Sequence, residues 1–110
     1  MPASQPRIRE IDLLVPSLYF LSRHPGGVDT ESRREYLESL FQPQGINAEP
    51  VGDPEHPVTR FSQIARNAVS NQGHGKNLIA QDYAAYDPVT RLTTITEDGL
   101  ELLRRIGYDV

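Results

Sequence analysis

Ile11, Leu14, Val15, Leu18 and Leu21 recur at i, i+3, i+4, i+7 and i+10, the apolar stripe of an amphipathic helix. Asp12 is placed to cap that helix, and Pro16 falls in its first turn, where a missing N–H loses no intrahelical bond. The run His24, Pro25, Gly26, Gly27 ends it. Asp29 or Thr30 can cap a second helix with an inner side of Tyr36, Leu37, Leu40 and Phe41 and a mixed-charge outer side of Arg33, Arg34, Glu35 and Glu38. Residues 42–57 hold four prolines and two glycines without a usable period, which predicts a long irregular connection, either a spacer or a partner-binding loop.

A third helix is predicted over 59–71, where Phe61, Ile64, Ala65, Ala68 and Val69 fall at i, i+3, i+4, i+7 and i+8. Residues 72–77 loosen the chain, and 78–81 fit one further helical turn. Two short β-prone runs, 83–86 and 91–95, are joined by the turn signal DPVT and predict a hairpin. Thr96 then caps a last helix, with Glu97 and Asp98 in its positive first turn, Leu100, Leu103 and Ile106 as its inner stripe, and Gly107 as its stop. The predicted class is α+β, mostly α, with three helices, a two-stranded wing and a C-terminal helix in the order of a winged helix-turn-helix. Residues 1–9 are expected as a flexible tail and 10–110 as one domain.

Composition changes this picture in one respect. The 110 residues carry a net charge of −4, which argues against a general polyanion binder, yet no acid occurs between His56 and Gln81. The third helix lies in that window. Its outer surface, Arg60, Ser62, Gln63, Arg66, Asn67, Ser70 and Asn71, is almost all hydrogen-bonding, although solvated helix faces more often use Glu and Lys. Arginine can pair with guanine O6 and N7, asparagine or glutamine with adenine N6 and N7, and serine with either or with the backbone.

Arg60, Ser62, Gln63, Arg66, Asn67 and Ser70 are therefore the residues expected to enter or line a DNA major groove, with Asn71, His74 and Lys76 on flanking phosphates. Asn67 and Asn71 can instead brace the helix end, Ser70 can bond back to its own helix, and His74 can be a plain loop residue. Arg91, leading the second wing strand, is the minor-groove candidate, or it pairs with Asp87 across the hairpin. Arg7 and Arg9 can add nonspecific contacts, while Arg104 and Arg105 suit the dipole of the last helix.

Other chemistries find little support. There is no cysteine, and the three histidines, His24, His56 and His74, lie far apart, so no metal ligand set or catalytic constellation is expected. The GHGKN segment lacks the spacing of a phosphate-binding loop. The chain is expected to be no enzyme and to need no cofactor. The polar opening does not read as a signal peptide, and the apolar run after it is too short to cross a membrane, so a soluble, cytoplasmic protein is expected.

The segments RFSQIARNAVSN, LIAQDYAAYD and LTTITEDGLELL resemble the winged-helix modules of Mrr-type and related restriction-endonuclease systems, and the resemblance extends from about Glu10 onward. Where such modules usually carry a glycine before the first wing strand, this chain has Asp82. The resemblance implies duplex DNA binding through the third helix and wing. The expected function is thus the recognition module of a restriction or defence system, or a small transcriptional regulator; a chain of this length, if it is complete, has no room for a nuclease domain and is expected to bind and not to cut. A nuclease or other protein subunit is a possible partner, and the alternative is a winged helix used for protein contact, which the net charge favours. A homodimer is also open, through Leu13, Tyr19 and Phe20, which lie off the first helix's inner stripe. Arg66 is expected to matter for DNA and Arg33, on the second helix near Glu31 and Glu35, to matter much less.

Overall fold

The computed structural model describes residues 5–52, 55, 58–67 and 82–110. Their order is a 3-10 turn at Glu10–Leu13, α1 (Leu14–Ser22), α2 (Thr30–Phe41), a 3-10 turn at Gly45–Ala48, β1 (Pro50–Val51), β2 (Val58–Thr59), α3 (Arg60–Asn67), β3 (Ala84–Asp87), β4 (Leu92–Ile95) and α4 (Glu97–Arg105). The chain is α+β, and no helix among the described residues is long and apolar enough to cross a membrane.

The first helix departs from its apolar stripe. Glu10–Leu13 winds as a 3-10 turn, at about three residues per turn instead of 3.6, and this tighter winding rotates the stripe. Ile11 is turned outward, and Leu13, expected outside, is fully buried. Asp12 does not cap α1 either: its carboxylate accepts the Arg9 N–H at 2.8 Å from inside the 3-10 turn. Tyr19 lies 5.3 Å from the Tyr108 ring, and Phe20 stacks on Tyr36 at 4.3 Å and tilts against His24 at 4.5 Å. Leu13 is therefore no part of an outer dimer surface, and Tyr19 and Phe20 are engaged within the fold.

Two apolar clusters make the interior, one of Ile8, Leu13, Leu37, Phe61 and Ala65, the other of Leu18, Leu21, Val28, Ala84 and Leu103. The first takes in a residue of the expected tail. Ile8 N–H donates to Asn47 Oδ1 at 2.8 Å, and Asn47 Nδ2 donates to Gln5 Oε1 and to the Pro6 carbonyl, both at 2.9 Å. Asn47 is itself fully buried, so residues 5–8 are tied to the connection after α2 by an amide whose bonds are all internal. That connection holds more order than its composition predicts: β1 pairs antiparallel with β2, Pro50 opposite Thr59 and Val51 opposite Val58.

Asp29 caps α2, its carboxylate accepting the Ser32 N–H at 2.7 Å and the Ser32 hydroxyl at 2.9 Å, and these bonds hold its pKa below the ordinary value. The wing pairs Ala84 with Ile95 through Asp87 with Leu92. Val28, between α1 and α2, exchanges both backbone bonds with Thr93 of β4, at 2.8 and 2.9 Å. The α1–α2 connection thus lies as a third member beside the hairpin, in the spatial order Val28, β4, β3.

The ITEDG segment is explained by the contact between α4 and the hairpin. Thr96 Oγ1 accepts the Gly99 N–H at 3.1 Å and donates to the Asp82 carbonyl at 2.6 Å, so a single hydroxyl caps α4 and ties it to the entry of β3. Gly99 faces the Tyr83 carbonyl so closely that a Cβ there would lie 2.3 Å from its oxygen. This docking sets the rotation of α4: Gly99 and Leu103 are buried, Leu102 packs beside them, and Ile106, expected on the inner stripe, lies exposed beyond the helix end. Asp82 takes φ 62°, the left-handed conformation for which glycine is usual and which Asp tolerates better than most residues.

Candidate nucleic-acid interface

α3 begins at a capping bond, Ser62 N–H to Thr59 Oγ1 at 3.0 Å, and buries Phe61 and Ala65 completely. Ser62, expected on the outer surface, is only 8% exposed. The reason is that the buried arc of α3 is centred on Phe61, Ser62 and Ala65, rotated toward Ser62 from the arc that apolar residues alone define. Gln63 and Arg66, three residues apart, are exposed, as their place off the apolar stripe predicts. The side chain of Asn67 and the whole of Ser70, Asn71, His74 and Lys76 lie outside the described residues.

Arg33 of α2 packs against α3. Its side chain is 1% exposed, and its Nη1 donates to the Ala65 carbonyl at 2.7 Å. Arg33 stands four residues before Leu37 and eight before Phe41, helical spacing for the inner side of α2. Leu40, expected on the inner side, is exposed. Burial pulls the Arg33 guanidinium down to about 10, which leaves it charged at neutral pH. Its Nε and Nη2 have no hydrogen-bond partner among the described residues. Arg33 is therefore no solvated surface arginine but the post on which α3 rests, a role that the charge pattern of α2 concealed.

Among the described residues, the two arginines of the acid-free window meet acids from elsewhere in the chain. Arg66 Nη2 lies 3.0 Å from Glu31 Oε1, at the start of α2. Glu31 Oε2 lies 3.1 Å from Arg34 Nε, and the hydrogen bonds from Arg34 and then Arg66 lower the Glu31 pKa. At the other end of α3, Arg60 Nη2 approaches Glu49 Oε2 at 3.9 Å, and the Arg60 N–H donates to the Glu49 carbonyl at 2.8 Å. These carboxylates are 35 and 11 residues away in sequence from the arginines they meet, counting 66 − 31 and 60 − 49.

Arg91 does not lead the second wing strand. It closes the four-residue turn between Asp87 and Leu92, with φ 60° and its N–H on the Asp87 carbonyl at 2.7 Å. The Asp87 carboxylate accepts the Val89 N–H at 2.8 Å, so it serves the turn, and no ion pair joins it to Arg91 among the described residues. An arginine in the left-handed region is strained relative to glycine by roughly 1 kcal/mol. Arg91→Gly is accordingly expected to raise stability by about 0.5–1 kcal/mol in urea unfolding, while removing a cation from the wing tip; a loss of stability would mean that the turn is not left-handed at this position.

Of the other arginines that the sequence singled out, four lie near the chain ends. Arg7 and Arg9 are exposed, and Arg104 and Arg105 close α4, paired with Glu97 and Glu101. Among the described residues, no group of three or more His, Cys, Asp or Glu is arranged to hold a metal ion. Comparison with known proteins found no matching family model, no matching curated protein and no matching solved structure.

Proposed function

We propose that the protein is a winged helix-turn-helix that binds duplex DNA, with α3 toward the major groove and the wing tip alongside, acting in the cytoplasm as the recognition module of a restriction or defence system or as a small transcriptional regulator. The observation that carries the reading is the pairing of Val28 with Thr93 between α1 and α2, followed by α3 and the β3–β4 hairpin. That topology is compatible with the winged helix. The groups assigned to the ligand in this reading are Gln63 and Arg66, exposed on α3 with Arg66 held by Glu31 in a surface ion pair, and Arg91 on the turn of the hairpin. Gln63 suits adenine, Arg66 suits guanine or phosphate, and Arg91 suits the narrow groove beside them. Asn67, Ser70, Asn71, His74 and Lys76 belong to the same reading on sequence grounds, whereas Ser62 is assigned to the packing of α3 and Arg60 to its start.

A second reading, a protein-contact winged helix, draws on the net charge of −4 and on the ion pairs that already engage Arg60 and Arg66. Fluorescence polarisation on mixed-sequence duplex, unmodified and methylated, at two salt concentrations separates the two. DNA binding through phosphates weakens steeply with salt. Arg66→Ala is expected to weaken duplex binding by about 1–3 kcal/mol with folding nearly unchanged, because the side chain is 46% exposed and its ion pair is a surface one. A folded Arg66→Ala protein that binds duplex as well as the parent, or a parent that does not bind at low salt, would transfer the assignment to a protein partner.

A further inference from the structure

We infer that Glu31 is a specificity-determining residue, an internal counter-ion that occupies Arg66 and suppresses binding to arbitrary duplex DNA. The inference rests on the DNA-binding reading above. Its carboxylate is divided between two arginines: Oε1 faces Arg66 Nη2 at 3.0 Å, and Oε2 faces Arg34 Nε at 3.1 Å. Arg34 is held in turn by Glu38 and, at 3.9 Å, by Glu35. The glutamate is thus oriented by an arginine that keeps other partners, and it presents its second oxygen to the cation on α3.

Both members of the outer pair are solvent-accessible, Arg66 at 46% and Glu31 at 55%, so another anion can exchange for the carboxylate. Such a pair adds little net stability. Its effect falls on the ligand: a phosphate that takes Arg66 must displace Glu31 and then sit near an ionised, unpaired oxygen. On arbitrary duplex, Arg66 finds only phosphate and the penalty stands. A site that offers Arg66 the paired acceptors of a guanine edge offsets it, since two directed bonds replace one point contact. An acid opposing phosphates in this way penalises the wrong partners more than the right one.

The test is polarisation of a mixed-sequence duplex at about 50 and 200 mM salt with the full chain. Glu31→Gln keeps the shape and leaves the Asp29 cap in place. It should tighten binding about tenfold at the lower salt, with a smaller gain at the higher one. The gain should vanish when Arg66→Ala is added, as a direct coupling requires. Glu101→Gln on α4 changes the net charge equally and should give no comparable gain. A Glu31→Gln effect equal to that of Glu101→Gln, or one that survives without Arg66, overturns the inference while leaving the DNA reading intact. Absence of duplex binding by the parent and by every variant removes the DNA reading and the inference together.

Discussion

Gly99→Ala is expected to destabilise the protein by about 3 kcal/mol or more, enough to remove a large part of the stability of a domain this size. Two effects oppose each other at this position. Alanine is the better helix former by up to about 1 kcal/mol, and Gly99 lies in the first turn of α4, so local propensity alone forecasts a gain. Packing forecasts the reverse: the new Cβ would lie 2.3 Å from the Tyr83 carbonyl oxygen and 2.7 Å from Ile95 Cγ1. The nearer atom is backbone and cannot swing aside. Moving α4 outward would stretch the bonds from Thr96 Oγ1 to the Asp82 carbonyl and from the Thr96 N–H to the Tyr83 carbonyl, now 2.6 and 3.1 Å. The clash therefore outweighs propensity. Urea unfolding decides the matter, since a midpoint equal to or above the parent's would show that α4 does not approach the hairpin this closely.

Arg33→Ala should cost about 3–4 kcal/mol in stability, with any loss of DNA binding following from misplacement of α3. It deletes a fully buried side chain, opens a cavity between α2 and α3, and removes the bond from Nη1 to the Ala65 carbonyl at 2.7 Å. Arg33→Met separates packing from charge. Methionine retains most of the volume and removes a buried cation whose Nε and Nη2 lack partners among the described residues, so its cost should fall below about 2 kcal/mol. Urea denaturation of both variants measures the difference. Arg33→Ala as stable as the parent would contradict the burial of this residue, and equal losses for Ala and Met would assign the whole effect to the bond with Ala65. A charge-only reading of α2 leads to a mild, surface-like effect, and the two expectations differ by several-hundredfold in the folding equilibrium.

The sequence by itself determined the order of α1, α2, α3, the β3–β4 hairpin and α4, but not the 3-10 turns or the β1–β2 pair. The stripes of α1 to α3, the Asp29 and Thr96 caps and the β-prone runs of the wing are local signals, carried by residues within a few positions of one another. It also marked Gln63 and Arg66 as outward-facing on α3, since their positions follow from the phase of Phe61 and Ala65. Only the tertiary structure decided how each helix is rotated and what its charges meet. A 3-10 turn before α1 exchanged Ile11 for Leu13 in the core, because a change in residues per turn accumulates along the segment. Arg33 went inside because a carbonyl of α3, 32 residues away, receives it. Glu31 and Glu49 came to the acid-free window through the packing of α2 and of the connection before α3, contacts that periodicity cannot register. A helical stripe specifies a face but not the partner it turns toward, and the long-range contacts that choose the partner also place the charges at the surface where a ligand would bind.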